Sequence, residues 1–159
     1  KNIRMANVIS KDGRKTIEKV IDLPQILEIG QLITDNIHTP ETASEYIMRM
    51  IENSRPYLAG RKYGTPELYK FVDENVLIQE KSLGEGGGLS PRSNFAFEAG
   101  ARTTAFFNHN EVVTVDDVKE VAHLVMDHRI LLTPQAIGSG VTKHKVAQMI
   151  IDNTQVPPS

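Results

Sequence analysis

The chain has 159 residues, of which 40% are hydrophobic and 24% charged, and a globular domain of this size can bury a substantial core. Its net charge of −2 provides no overall attraction to nucleic acid or to an anionic membrane, so we expect neither as a partner. The absence of cysteine excludes disulfides and thiolate metal sites and favours a cytoplasmic location. No apolar run approaches the roughly 18 residues of a membrane span.

The N-terminal part predicts a short extended segment followed by a helix. Residues 3–9 are rich in apolar and β-branched side chains, which favours an extended conformation. Asp22 and Gln25 have the spacing of a capping box, and Pro24 suits the first helical turn. The spacing of apolar residues after them predicts a helix that ends near Asn36.

A second helix is predicted from Thr39-Pro40-Glu41 to just before Pro56, because proline suits a helix start and also ends a helix. Its apolar face consists of Ala43, Ile47, Met50 and Ile51. Residues 57–88 differ in character and are interpreted as a loop insertion. Within them Thr65 can start a short helix that runs through Val72, and the glycine-rich run 84–88 predicts a flexible loop.

The C-terminal half predicts three helices joined by short connections. The first runs to about Phe107, and a turn at 109–111 and an extended link at 112–113 follow it. Thr114 to Asp117 cap the next helix, and a loop with two glycines precedes a final helix from Lys143 to Asp152. The core face of the middle helix is Val118, Val121, Ala122 and Val125. The predicted fold class is an all-α bundle of about five helices with one short extra helix.

The start of the first of these helices carries a cation in an unusual place. Ser90 is predicted as the N-cap and Pro91 as the first helical residue, which puts Arg92 in the first turn, at the positive end of the helix dipole. Arg92 also lies on the helical stripe that is predicted to be buried, formed by Ala96, Ala99, Thr103 and Phe106. We therefore expect an anion to face Arg92. It is either a carboxylate of a neighbouring helix or a phosphate bound elsewhere.

Other candidate sites have less support. The five histidines show no H-x-x-x-H spacing, so no metal site is predicted. No Walker A pattern accompanies the glycine run, which argues against an intrinsic nucleotide cradle. Arg102 and Arg129 are expected in structural ion pairs, and Asp127-His128 as a charge pair at a helix end. Four aromatic residues of the helix that begins near Arg92 are expected in the core rather than in a base-stacking platform: Phe95, Phe97, Phe106 and Phe107.

The stretch from Ser90 to Thr133 resembles the C-terminal lid of the MoxR family of AAA+ ATPases. The resemblance rests on Ser90-Pro91-Arg92 opening an alanine-containing helix, on the run from Val113 to Val118, and on His128-Arg129-Ile130. Two upstream segments, 20–31 and 37–56, resemble the lid helices that follow the ATPase core. On this basis residues 1–19 are expected to be the remnant of that core and residues 20–159 the helical lid domain.

The resemblance implies a role for Arg92 as the sensor-2 residue, which reaches the terminal phosphate of the nucleotide, with Ser90 beside it. It further implies ATP and Mg²⁺ as cofactors of the whole protein, association with the chain's own AAA+ core, and a hexameric ring that remodels or assembles partners such as von Willebrand factor A domain proteins. The Walker A and B segments are missing from these 159 residues, so the chain by itself is expected to be inactive.

A regulatory binding module of the helix-turn-helix kind is the alternative, since several short helices are joined by tight turns. The acidic balance and the lack of a helix with a basic exposed face weigh against it.

Overall fold

The computed structural model describes residues 19–55, 62–73, 76–77 and 88–158, and the predicted extended segment 3–9 lies outside them. The chain divides into two compact units, Lys1–Asn36 and Ile37–Ser159. The first helix therefore falls in the N-terminal unit, whereas the predicted lid domain starts at residue 20. The assignment of residues 1–19 to an ATPase core remains a prediction.

The described part of the first unit contains one helix, α1 (Leu23–Asn36). Its start is the predicted capping box: the backbone amide of Gln25 donates to Asp22 Oδ1 at 3.0 Å, and that of Asp22 donates to Gln25 Oε1 at 2.9 Å. Two amides that have no partner within the helix are satisfied in this way, which confirms the predicted start. The helix also ends at Asn36, as predicted.

Six further helices occupy the described part of the second unit, joined by loops with only single-residue β-bridges. Four of them begin directly after a threonine whose hydroxyl accepts a hydrogen bond from a first-turn amide: Thr65, Thr114, Thr133 and Thr142. The helices are α2 (Glu41–Asn53), α3 (Pro66–Phe71), α4 (Ser93–Phe107), α5 (Val115–Met126), α6 (Pro134–Gly138) and α7 (Lys143–Asn153). The all-α prediction is confirmed, and the one-turn helix α6 is the element that it missed.

Helix α5 lies at the centre of the second unit and packs against α2, α4 and α7. Its predicted core face is buried, and the predicted face of α2 is buried together with Tyr46. The contact between α4 and α5 is close at Gly100, where a Cβ atom would lie 2.5 Å from Val121 Cγ2. Within the described residues no helix combines the length and apolarity that a membrane span requires.

The segment predicted as a loop insertion contributes to this core. The side chains of Leu68, Val72 and Leu77 are fully buried, and α3 packs against α7. Gly64 and Leu77 also form β-bridges with Thr154 and Leu132. The described parts of 57–88 are thus packed structure, while most of the glycine run lies outside the described residues.

The buried face of α4 is the opposite of the predicted one. Ser93, Phe97, Ala101 and Ala105 are buried, whereas Ala99, Thr103 and Phe106 are exposed. The reason is the contact with α5, which packs closely against this side of α4 at Gly100. Of the four phenylalanines expected in the core, only Phe97 is there; the other three are 74%, 40% and 70% exposed at Phe95, Phe106 and Phe107.

Candidate functional site

The turn that precedes α4 carries the two predicted site residues, Ser90 and Arg92. The Ser90 carbonyl accepts a hydrogen bond from the Ser93 amide at 2.9 Å, and the Pro91 carbonyl accepts one from Asn94 at 3.1 Å. These bonds form a tight turn, so the N-cap position falls on Arg92 and the prediction of Ser90 as the N-cap is wrong. The proline ring locks the backbone at Pro91 in a geometry that suits such a turn.

The residues just past the end of α2 hold this turn in place. Ser54 Oγ accepts a hydrogen bond from the Leu89 amide at 2.8 Å, and Arg55 Nε donates to the Leu89 carbonyl at 2.6 Å. Both backbone groups of Leu89 are therefore bound, and its side chain is 1% exposed. At Gly88 a Cβ atom would lie 2.0 Å from the Ser54 carbonyl oxygen, so only glycine fits this close approach.

The other end of the turn is anchored by burial. Ser93 is 1% exposed and Phe97, one helical turn later, is fully buried. Ser93 Oγ and Asn94 Oδ1 are buried without a hydrogen-bond partner in the part of the chain that the structure describes. The backbone around Arg92 is thus fixed on both sides, at Leu89 and at Ser93.

The side chain of Arg92 points away from this anchored backbone into solvent. Arg92 is exposed, which agrees with the expectation for a cation whose anion belongs to another domain. Within the described residues no carboxylate forms an ion pair with it. Ser90 is half-buried beside it. A guanidinium held in this way can bind a phosphate through two parallel hydrogen bonds, because its donors form a planar fork.

Arg102 and Arg129 were predicted to form structural ion pairs. Both have structural contacts, but these are hydrogen bonds rather than ion pairs. Arg102 Nε donates to Thr39 Oγ1 at 3.0 Å. Arg129 Nη1 donates to the Val125 carbonyl at 2.8 Å and also contacts His128. Arg102 therefore binds a residue before α2, whereas Arg129 binds the last turn of the helix that it follows.

The predicted charge pair between Asp127 and His128 is wrong. Asp127 instead contacts His123 and His144, and the latter comes from a different helix. Burial would raise the pKa of Asp127, but the hydrogen bonds from the two imidazole rings and their charge hold it below the usual value.

A buried carboxylate links the end of α4 to the start of α5. Asp117 completes the capping box with Thr114 and accepts a hydrogen bond from Asn108 at 2.9 Å, with Asn110 nearby. Burial alone would raise its pKa, but the hydrogen bonds from Thr114 and the two asparagines outweigh burial and lower the pKa. All these partners are structural, so we assign Asp117 to the stability of the fold rather than to the site.

The residues that position the site were not predicted from the sequence. Ser54 and Arg55 follow α2, and more than 30 positions separate them from Leu89. A serine and an arginine after a helix form no recognisable sequence motif. Only the folded backbone brings them next to Leu89.

Comparison with known proteins finds a family model that matches the part of the chain around this turn. Residues 85–150 match the AAA lid domain family, and this segment includes the turn, α4, α5, α6 and most of α7. The match favours the lid interpretation over a helix-turn-helix module.

Two longer proteins resemble most of the chain. The uncharacterized protein YeaC of Bacillus subtilis (strain 168) is 22% identical over 143 residues, which cover 90% of this chain and 37% of YeaC. The crystal structure of a putative ATPase from Cytophaga hutchinsonii shares the fold, with a TM-score of 0.67, 22% identity and coverage of 85% of this chain and 36% of that one. The chain thus spans little more than a third of each relative, and residues 85–150 of its helical unit are similar to the AAA lid domain family.

Proposed function

We propose that this chain is the lid region of a MoxR-like AAA+ ATPase and that Arg92 is its sensor-2 residue. In this role the guanidinium group binds the terminal phosphate of ATP held by the core domain, with Mg²⁺ as the second cofactor of the whole protein. Ser90 lies beside the same phosphate. The ATPase function of the whole protein is part of the proposal, which the description of the Cytophaga relative as a putative ATPase supports.

The observation that carries the proposal is an exposed cation on an anchored turn. A flexible arginine on a loop would lose considerable side-chain and backbone entropy on binding a phosphate. Here the backbone is already fixed by the two hydrogen bonds at Leu89 and by the burial of Ser93, so part of that entropy is lost in folding. The position at the positive end of α4 also disfavours an unpaired cation, which a bound phosphate would neutralise.

The anchored turn also connects the proposed phosphate contact at Arg92 to the helices of the second unit. A force on Arg92 is transmitted through Leu89 to the end of α2 and through Phe97 to the core around α5. Binding and hydrolysis of ATP would therefore shift the second unit as a body, which is what a ring ATPase needs in order to act on another protein. A hexameric ring and partners with von Willebrand factor A domains belong to this proposal.

The test is the replacement of Arg92 in the full-length protein. Arg92→Ala should lower ATP turnover at saturating ATP by at least about tenfold, because an arginine that stabilises the transferring phosphoryl group can contribute far more than that. Arg92→Lys keeps the charge but loses the planar fork, and we expect it to restore only part of the rate.

Lys119→Ala is the matched control, since it removes from α5 one half-buried positive charge that is paired with Asp116, and it should leave turnover within about twofold of the wild type. Circular dichroism and urea unfolding of each variant show whether the fold is retained. Unchanged turnover of folded Arg92→Ala at saturating ATP would contradict the sensor role.

A further inference from the structure

Two histidines and an aspartate converge where the end of α5 meets the start of α7. Asp127 Oδ1 lies 3.1 Å from His123 Nδ1, and Asp127 Oδ2 lies 3.0 Å from His144 Nδ1. The two imidazole rings stack with their centroids 3.9 Å apart and their planes 19° from parallel. One candidate ligand atom from each of the three residues lies within 4.8 Å of the other two.

A second layer of hydrogen bonds determines which ring nitrogen of His123 carries a proton. Gln148 Nε2 donates to Asp152 Oδ1 at 2.8 Å, which turns the Gln148 carbonyl oxygen towards His123 Nε2, also at 2.8 Å. His123 Nε2 must therefore donate a proton to Gln148. In the neutral ring this leaves a lone pair on Nδ1, and that lone pair faces a carboxylate oxygen of Asp127.

His123 Nδ1 and the facing oxygen of Asp127 are both atoms that bind metal ions, and His144 adds a third within 4.8 Å. Histidines that bind metals characteristically donate their other N–H to a carbonyl or carboxylate group, which is the arrangement that Gln148 and Asp152 provide here.

We propose that His123, Asp127 and His144 form a binding site for a divalent transition-metal ion such as Zn²⁺. The ligands are Nδ1 of each histidine and the carboxylate of Asp127, and water completes the coordination. Two imidazoles and one carboxylate without thiolates are a ligand set that suits zinc and its neighbours in the first transition row.

The distances agree with this ligand set. Tetrahedral zinc with bonds of about 2.0–2.1 Å places its ligand atoms about 3.3 Å apart. The two nitrogen–oxygen distances at Asp127 are 3.1 and 3.0 Å, and the exposed His144 ring must turn out of its stack with His123 so that both Nδ1 lone pairs reach one ion. The His144 side chain is 67% exposed, and the site is therefore accessible from solvent.

A metal bound here would join two helices that otherwise meet through noncovalent contacts. His123 belongs to α5 and His144 to α7, and α5 is the central helix of the unit. The sequence predicted no metal site because the third ligand is 17 positions from the second, on another helix, where no spacing rule applies.

The test is calorimetric titration of the full-length protein with Zn²⁺ at pH 8 without nucleotide, where free imidazole is largely neutral. We expect saturable binding that His144→Ala and Asp127→Asn each weaken at least tenfold, since each removes a ligand. Gln148→Ala removes the hydrogen bond that orients His123 and should weaken Zn²⁺ binding by about 10- to 100-fold. Co²⁺ bound in place of Zn²⁺ should show the visible absorption of a tetrahedral site, which His144→Ala abolishes.

His128→Ala is the matched control, because it removes an exposed histidine next to Asp127 whose Nε2 contacts Arg129 rather than the cluster. It should bind Zn²⁺ within about twofold of the wild type. Circular dichroism confirms that each variant is folded. Absence of binding, or binding that the two ligand variants leave unchanged, overturns the proposal and assigns the cluster to a hydrogen-bonded network with a protonated His123.

Discussion

The hydroxyl of Ser54 accepts a hydrogen bond from the backbone amide of Leu89 at 2.8 Å, across 35 positions of sequence. The same hydroxyl donates to the carbonyl of Ile51 at 2.7 Å, so both of its hydrogen-bonding capacities are used. This pair connects the end of α2 to the turn that presents Arg92. Because the turn is held in this way, the backbone of the exposed Arg92 has a well-defined position.

The close approach at this connection can be tested at Gly88. Gly88→Ala places a methyl group against the Ser54 carbonyl, and we expect it to lower the free energy of unfolding by about 1–3 kcal/mol. The control is Gly138→Ala at the end of α6, where an added Cβ meets nothing within 4 Å, and its effect should stay within about 0.5 kcal/mol. Urea unfolding measures both. Equal effects at the two positions would show that Gly88 is not in tight contact.

Two arginines near the turn should differ in their contribution to stability. Arg55→Ala removes the donor to the Leu89 carbonyl, and we expect a loss of about 1.5–3 kcal/mol. Arg92→Ala removes an exposed cation from a helix N-terminus and should leave stability unchanged or raise it by less than about 1 kcal/mol. Thermal and urea unfolding compare the two variants. A large loss in Arg92→Ala would instead indicate a structural role for Arg92.

The contact between Gly100 and Val121 predicts a compensating pair of substitutions. Gly100→Ala alone should cost about 1–3 kcal/mol, because its methyl group would lie 2.5 Å from Val121 Cγ2. Val121→Ala alone leaves a cavity and should cost a similar amount. In the double variant the new methyl group occupies the vacated volume, so the total should be smaller than the sum by about 0.5–3 kcal/mol. A double-mutant cycle in urea measures this coupling, and strict additivity would contradict the close packing.

The pH dependence of stability should depend in part on Asp117. Its pKa is lowered in the folded chain, so its contribution is fully present above the unfolded pKa of about 3.9 and is lost as the pH falls through the folded pKa. Asp117→Asn removes this titration. We expect the wild type to be more stable than the variant at pH 7 and the difference to shrink below about pH 4. Urea midpoints measured between pH 7 and pH 3 decide this, and a constant difference would exclude the ionised carboxylate as the cause.

Most helix positions could be predicted from the sequence because the signals that start helices are local. Each of these signals acts within one helical turn: the capping boxes at Asp22 and Thr114, and the Thr-Pro pair at Thr65. Thr133-Pro134 carries the same signal as Thr65-Pro66, but the helix that it starts has only five residues, which is too short for an apolar periodicity to be recognised.

The buried side of α4 could not be predicted in the same way. Both stripes of this helix contain alanine and phenylalanine, so hydrophobicity alone does not distinguish them. The observed face carries Gly100 and Ala101 next to α5, and the approach of that helix decides between the two stripes.

The sequence by itself determined the all-α class, the helix starts and the presence of a cation at the opening of α4, because each depends on neighbouring residues. Only the tertiary structure decided that Arg92 faces solvent on a turn held by Ser54 and Arg55, and that His123 and Asp127 meet His144. The physical reason is that these relationships join segments far apart in sequence. Such contacts form only when the burial of the core around α5 fixes how the helices pack.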